Sequence, residues 1–139
     1  MEDTNASLHE PKHRPKAGLT KEQRHVMLEK GTEAPFTSEL LHNTKEGAYV
    51  CASCGAMLFD SGAKFDSGTG WPSFDSPINS DALKVKMDAS HFMIRTEVGC
   101  PNCGAHLGHV FNDGPARTRK RYCINGCALD FKEKNKGRA

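Results

Sequence analysis

Six of the 139 residues are cysteine, and their spacing divides them into two kinds. Four form a pair of C-x-x-C-G motifs, Cys51-Ala52-Ser53-Cys54-Gly55 and Cys100-Pro101-Asn102-Cys103-Gly104. Each motif follows a run that reads as a strand, Ala48-Tyr49-Val50 and Ile94–Val98. Such a turn aims two sulfurs and nearby backbone N–H groups at one point, and its glycine takes a backbone shape that other residues resist. Two turns offer four thiolates from Cys51, Cys54, Cys100 and Cys103, a closed tetrahedral set suited to one structural zinc ion. A disulfide, or a redox-active dithiol within one motif, is the competing reading; the glycine-flanked duplication favours metal. The 45 residues between Cys54 and Cys100 exceed the ~15–20 of a compact zinc ribbon. The metal is therefore expected to tie distant parts of the chain together.

The other two cysteines lie in Arg121-Tyr122-Cys123-Ile124-Asn125-Gly126-Cys127. In a strand, Arg121, Cys123 and Asn125 share one face and Tyr122 and Ile124 the other. A fixed cation two residues away favours thiolate over thiol, as a nucleophilic cysteine requires. The plainer reading of a leftover cysteine is a small buried apolar residue. Of the seven histidines, His9, His13, His25, His42 and His91 have no partner suggested by the sequence. His106-Leu107-Gly108-His109 leaves the second cysteine motif directly, on a strand whose start the metal would pin. Strict alternation puts His106 and His109 on opposite faces, unless Gly108 forms a bulge that turns both the same way. The sole tryptophan, Trp71, sits in Gly68-Thr69-Gly70-Trp71-Pro72. Flanking glycines and a proline suit an exposed loop of fixed shape, where an indole serves as a binding wall.

The elements that position these residues are mostly strands. Thr20-Lys21-Glu22-Gln23 has the form of a capping box and opens a helix expected to reach about Lys30, stopped by Gly31. Beyond Pro35, strands are expected at Ala48–Cys51, Ala56–Phe59, Leu83–Met87, Phe92–Val98, His106–Phe111, Arg121–Asn125 and Leu129–Phe131. With 13 glycines this describes a mainly β domain over 19–132, preceded by a flexible arm, 1–18, and followed by a charged tail, 133–139. A mean hydropathy of −0.61 and the absence of a long apolar run exclude a membrane-spanning helix. The net charge of +2 provides no field for nucleic acid or anionic lipid. Arg117–Arg121 is the one basic cluster and reads as a solvated loop. The acidic N-terminus lacks the features of an export signal, so a reducing, cytoplasmic setting is expected.

Taken in order, Gly70-Trp71-Pro72-Ser73-Phe74, His106–Phe111, Asp113-Gly114-Pro115 and Arg121–Asn125, together with both C-x-x-C-G motifs, resemble the B-type methionine sulfoxide reductases. The resemblance runs from about Thr20 to Phe131. It implies two antiparallel sheets stapled by a four-cysteine zinc site, with short N-terminal helices, and reduction of the R epimer of methionine sulfoxide in oxidised proteins. It also implies roles. Cys123 would attack sulfur, His109 protonate the sulfoxide oxygen with Asp113 orienting it or holding water, and Arg121 keep Cys123 ionised. Trp71 would wall the S-methyl group, with His106 and Asn125 beside it, and Cys123 would end as a sulfenic acid. Many members carry a resolving cysteine two residues before the tryptophan, where this chain has Thr69. Cys127, where the family usually has a small residue, is the spare thiol. In a straight strand it would lie ~13 Å from Cys123, against the ~4.4–6.8 Å between Cα atoms that a disulfide needs. A bend at Asn125-Gly126 would be required. Three routes stay open: resolution by Cys127, direct reduction by thioredoxin or another external thiol, or a merely packed Cys127. A monomer is expected. The alternative function is a non-catalytic zinc-stapled β domain that binds a small ligand or protein partner.

Overall fold

The computed structural model describes residues 18–89 and 93–134. The expected arm, apart from Gly18, and the tail beyond 134 lie outside the described residues, as do His91 and the start of the strand expected at Phe92. One helix is present among the described residues, α1 (Lys21–Met27). Its capping box is complete: Thr20 Oγ1 accepts from Gln23 N, and Gln23 Oε1 accepts from Thr20 N. The helix ends earlier than expected because Lys30 turns into the left-handed region at φ 61°, where Gly31 N donates to His25 O. Val26 and Met27 are buried, while Leu28 is exposed.

Nine strands among the described residues form two antiparallel sheets. The smaller has the order β2 (Met57–Asp60), β1 (Gly47–Cys51), β9 (Leu129–Glu133). The larger has the order β3 (Lys64–Phe65), β4 (Ser73–Phe74), β8 (Arg121–Ile124), β7 (His106–Phe111), β6 (Arg95–Gly99), β5 (Lys84–Asp88). The two-residue strands β3 and β4 have no expected counterpart, since a pair this short shows no alternation. Pairing of β9 extends to Glu133, and Lys134 N donates to Glu46 O.

Aromatic side chains join the sheets face to face. Phe59 of β2 stacks on Phe74 of β4 at 4.1 Å between centroids, and Tyr49 of β1 meets Phe74 edge-on at 5.0 Å. Such pairs contribute about 0.5–1.5 kcal/mol each beyond the area they bury. Cross-strand register puts Phe74 beside Tyr122, Tyr122 beside Val110, and Ile124 beside Gly108 on this inner face. Ser73, Cys123, His109, Phe111, Arg121, Glu97 and Arg95 therefore share the outer face.

The two C-x-x-C-G turns are built alike. Gly55 N donates to Cys51 O and Gly104 N to Cys100 O, each at 2.8 Å, and the two glycines sit at φ 82° and 81°. One turn closes the end of β1, the other the end of β6, so their meeting point ties the smaller sheet to the larger.

Candidate active site

The nucleophile candidate lies at the centre of the larger sheet. Cys123, on β8, is paired in register with Ser73 on β4 and His109 on β7. Gly108 lets β7 approach this closely: a Cβ there would lie 2.1 Å from Cys123 O. A cleft of about 260 Å³ opens over this face, and Cys123, His109, Arg121, Trp71 and Asn125 all line it. Thr32, Thr69, Arg95 and Phe111 complete its wall. The outer face of the sheet supplies Cys123, His109 and Arg121, and a separate loop supplies Trp71, whose Nε1 donates to Glu33 O at 3.0 Å.

Both histidines turn the same way, although Gly108 is not the bulge. The register of β6 on β7 passes from Val98↔Gly108 to Gly99↔His106, which makes Leu107 the extra residue. The His106 and His109 rings consequently meet at 5.4 Å, edge to face. Each is held by its own carboxylate. His106, 4% exposed, donates from Nδ1 to Glu97 Oε2 at 2.8 Å, and Lys30 Nζ reaches the other Glu97 oxygen at 3.3 Å. Burial pulls the His106 imidazole below its ordinary value, with Glu97 only partly restoring it. His106 stands behind His109 rather than in the cleft. His109 donates from Nε2 to Asp88 Oδ2 at 2.9 Å, and Arg95 Nη2 lies 3.5 Å from the same oxygen.

Asp113, expected to orient His109 or hold water, is bound to Arg121, and Asp88 is the carboxylate on His109. Arg121 donates through Nε at 2.9 Å and Nη2 at 3.2 Å to the two Asp113 oxygens. The hydrogen bond from Arg121 holds the Asp113 carboxyl below the usual range. Arg121 also lies 4.5 Å above the Phe111 ring. Arg121, expected to keep Cys123 ionised, acts in that direction against burial. Burial pushes the Cys123 thiol up, and the charge and hydrogen bond of Arg121, with a hydrogen bond from Thr69, offset this only in part.

Cys127 does not line this cleft. The chain bends after β8 into a 3-10 turn, Gly126–Ala128, which delivers Cys127 to a separate hollow of about 350 Å³ beside Glu22, Gln23 and Glu33. Burial first, then the neighbouring Glu33 and Glu22 charges, push its thiol up to about 12. Asp88, Arg95 and Glu33 are the residues that sequence reasoning missed. Asp88 ends an exposed edge strand, and no spacing rule connects it to His109. Its signal is cross-strand: it pairs with Arg95, two residues from the partner of His109.

The sulfurs of Cys51, Cys54, Cys100 and Cys103 lie within 4.8 Å of one another. Two of the contacts, Cys51–Cys103 and Cys54–Cys100, measure 3.7 and 3.6 Å. Four sulfurs around a tetrahedral zinc at ~2.3 Å stand about 3.8 Å apart, so the donor set fits a metal ion. Thiolates this close need a cation between them.

The SelR domain family matches residues 19–133, which spans both sheets and every residue of the cleft. The chain belongs to the SelR family, the B-type methionine sulfoxide reductases. Similar proteins carry the name peptide methionine sulfoxide reductase MsrB. One from Methanosarcina barkeri is 57% identical over 120 residues, covering 86% of this chain and 84% of its own. Another, from Methanosarcina mazei, is 54% identical over 124 residues, covering 88% and 89%. A third, from Leptospira interrogans, is 52% identical over 118 residues, covering 85% and 90%. In this SelR chain the basic cluster is engaged locally: Arg117 pairs with Asp75, Lys120 with Asn112 and Arg121 with Asp113. No helix among the described residues is long and apolar enough to cross a membrane.

Proposed function

We propose that the chain is a peptide-methionine (R)-S-oxide reductase in which Cys123 is the nucleophile and His109 the proton donor. The observation that carries the reading is the register of Cys123 against His109, beneath Trp71, with Asp88 on the imidazole. Asp88 fixes the ring through Nε2, and the imidazole gives a proton to the sulfoxide oxygen while the Cys123 sulfur attacks and bonds to the substrate sulfur. Proton donation of this kind is worth ~10²–10⁴ in rate. The oxygen passes to the Cys123 sulfur as its bond to the substrate sulfur and the transient bond between the two sulfurs both break. Methionine leaves reduced by two electrons, Cys123 is oxidised by two to a sulfenic acid, and the proton released by the thiol returns to His109. Arg121 lowers the cost of the developing thiolate, Asp113 fixes Arg121, and Asn125 and His106 brace the cleft. Trp71 and Phe111 offer apolar surface to the S-methyl group.

Return of Cys123 to the thiol falls to an external dithiol of the thioredoxin type. Two observations support this: Cys127 opens to a different hollow, and burial with the neighbouring Glu33 and Glu22 charges pushes its thiol up. Cys51, Cys54, Cys100 and Cys103 would hold one zinc ion, which supplies a cross-link between the sheets and no chemistry at the cleft. Zinc-ready thiols suit a reducing compartment such as the cytoplasm. The construction reads as one domain over 19–132, acting as a monomer on oxidised proteins.

The test is turnover of the separate R and S epimers of a peptide methionine sulfoxide with dithiothreitol. Reduction of the R epimer alone, abolished by Cys123→Ser, is expected; equal reduction of both epimers, or an active Cys123→Ser protein, rejects the assignment.

A further inference from the structure

The segment from Thr32 to Thr37 inverts the usual burial pattern. Ala34, Pro35 and Phe36 are exposed, while the charged Glu33 is 3% exposed. A buried carboxylate persists only where hydrogen bonds replace its water, and every polar group of Glu33 has a partner. Oε2 accepts from Gly126 N at 2.6 Å and Oε1 from Cys127 N at 3.0 Å. The backbone N–H donates to Asn125 Oδ1 at 2.9 Å, and the backbone C=O accepts from Trp71 Nε1 at 3.0 Å. The segment lies tight against both loops: a Cβ on Gly70 would lie 2.4 Å from Pro35 Cβ, and one on Gly126 3.3 Å from Glu33 Oε2.

We infer that Glu33 is a positioning residue for the reaction at Cys123, holding the Trp71 wall, the Asn125 amide and the turn that follows the Cys123 strand in one register. The inference rests on the assignment of Cys123 and Trp71 made above. Asn125 passes the constraint on, since its Nδ2 donates to Leu107 O beside His106. The Glu33 charge also reaches the reacting sulfur. Cys123 sits among Arg121 on its own strand, His109 on the next, the Thr69 hydroxyl and Glu33, and Glu33 is the member of this set whose charge opposes the thiolate.

The experiment uses the zinc-loaded full chain with Glu33→Gln and Glu33→Asp. Three quantities are read: kcat and KM on a peptide methionine sulfoxide with dithiothreitol, emission of the single tryptophan, and the pH midpoint of Cys123 alkylation followed on its own peptide by mass spectrometry. Glu33→Gln should lower kcat at least tenfold, raise KM, shift the Trp71 emission and move the alkylation midpoint to lower pH. Glu33→Asp restores the charge but not the reach, so its midpoint should return toward wild type while kcat stays low. Kinetic constants within twofold of wild type, with unchanged emission, would overturn the inference. So would failure of both variants to fold and retain zinc, which would assign Glu33 to folding alone. Absent turnover in the wild-type chain would sink the reductase reading instead, because emission and alkylation report on Glu33 without turnover.

Discussion

Cys123 stands between opposing influences: burial favours its thiol, and Arg121 and Thr69 favour its thiolate. Burial outweighs them, so the proposed reaction leans on His109, the proposed proton donor opposite the sulfur. That puts weight on Asp88, whose contact with His109 Nε2 fixes the orientation of the ring. Asp88→Asn, which leaves the imidazole in place, is expected to lower kcat by about 10–100-fold, short of the ~10²–10⁴ that loss of the whole proton donor would cost, with KM little changed and R-epimer selectivity intact. A variant as fast as wild type in steady-state kinetics would remove Asp88 from the proton path. Much of this site was legible in the residues themselves. Arg121, Cys123 and Asn125 alternate onto one face, and Trp71 occupies a glycine-proline loop. The carboxylate assignments were not legible. Asp113 lies four residues beyond His109 in sequence, yet the Phe111 ring between them carries the Arg121 guanidinium, and Arg121 captures Asp113.

At the scale of the element, β7 solves two problems with neighbouring residues. Leu107 adds the extra residue that brings both imidazoles to one face, and Gly108 lets the strand lie close against the Cys123 backbone. Sequence alone marked a bulge here and credited the glycine, because a glycine inside a strand signals either a bulge or a close approach. Only the register distinguishes the two. Gly108→Ala forces a methyl group against a backbone carbonyl 2.1 Å away, and overpacking of this kind costs about 1–3 kcal/mol. A lower melting temperature is expected, together with reduced turnover as the two strands separate. An alanine variant with wild-type stability and rate would show that the strands have room to spare. The short pair β3 and β4 escaped the sequence because its order comes from β8: Ser73 and Phe74 are strand residues through pairing with Cys123 and Tyr122.

For the whole molecule, the His106–Glu97–Lys30 chain links the end of α1 to the larger sheet. His106 lies below its ordinary 6.5 through burial. Burial pushes the Glu97 carboxyl up, but His106 and Lys30 outweigh it and leave Glu97 below its ordinary 4.5. Both folded values fall beneath the unfolded ones, so the unfolded chain binds more protons as pH drops. Stability is then whole above about pH 6.5 and declines as pH falls through the imidazole and then the carboxylate range. Melting temperature against pH should show this slope in the wild type and a shallower one in His106→Asn at equal zinc content; matching slopes would discard the explanation. The position of β8 has a consequence of a different kind. Neighbours flank the strand of Cys123 on both sides, β4 and β7, while β3 and β5 form the sheet margins. Fraying begins at margins, so amide hydrogens of Tyr122 to Ile124 should be among the slowest to exchange with deuterium, and the sulfur proposed to react stays on its mark while the periphery of the sheet breathes.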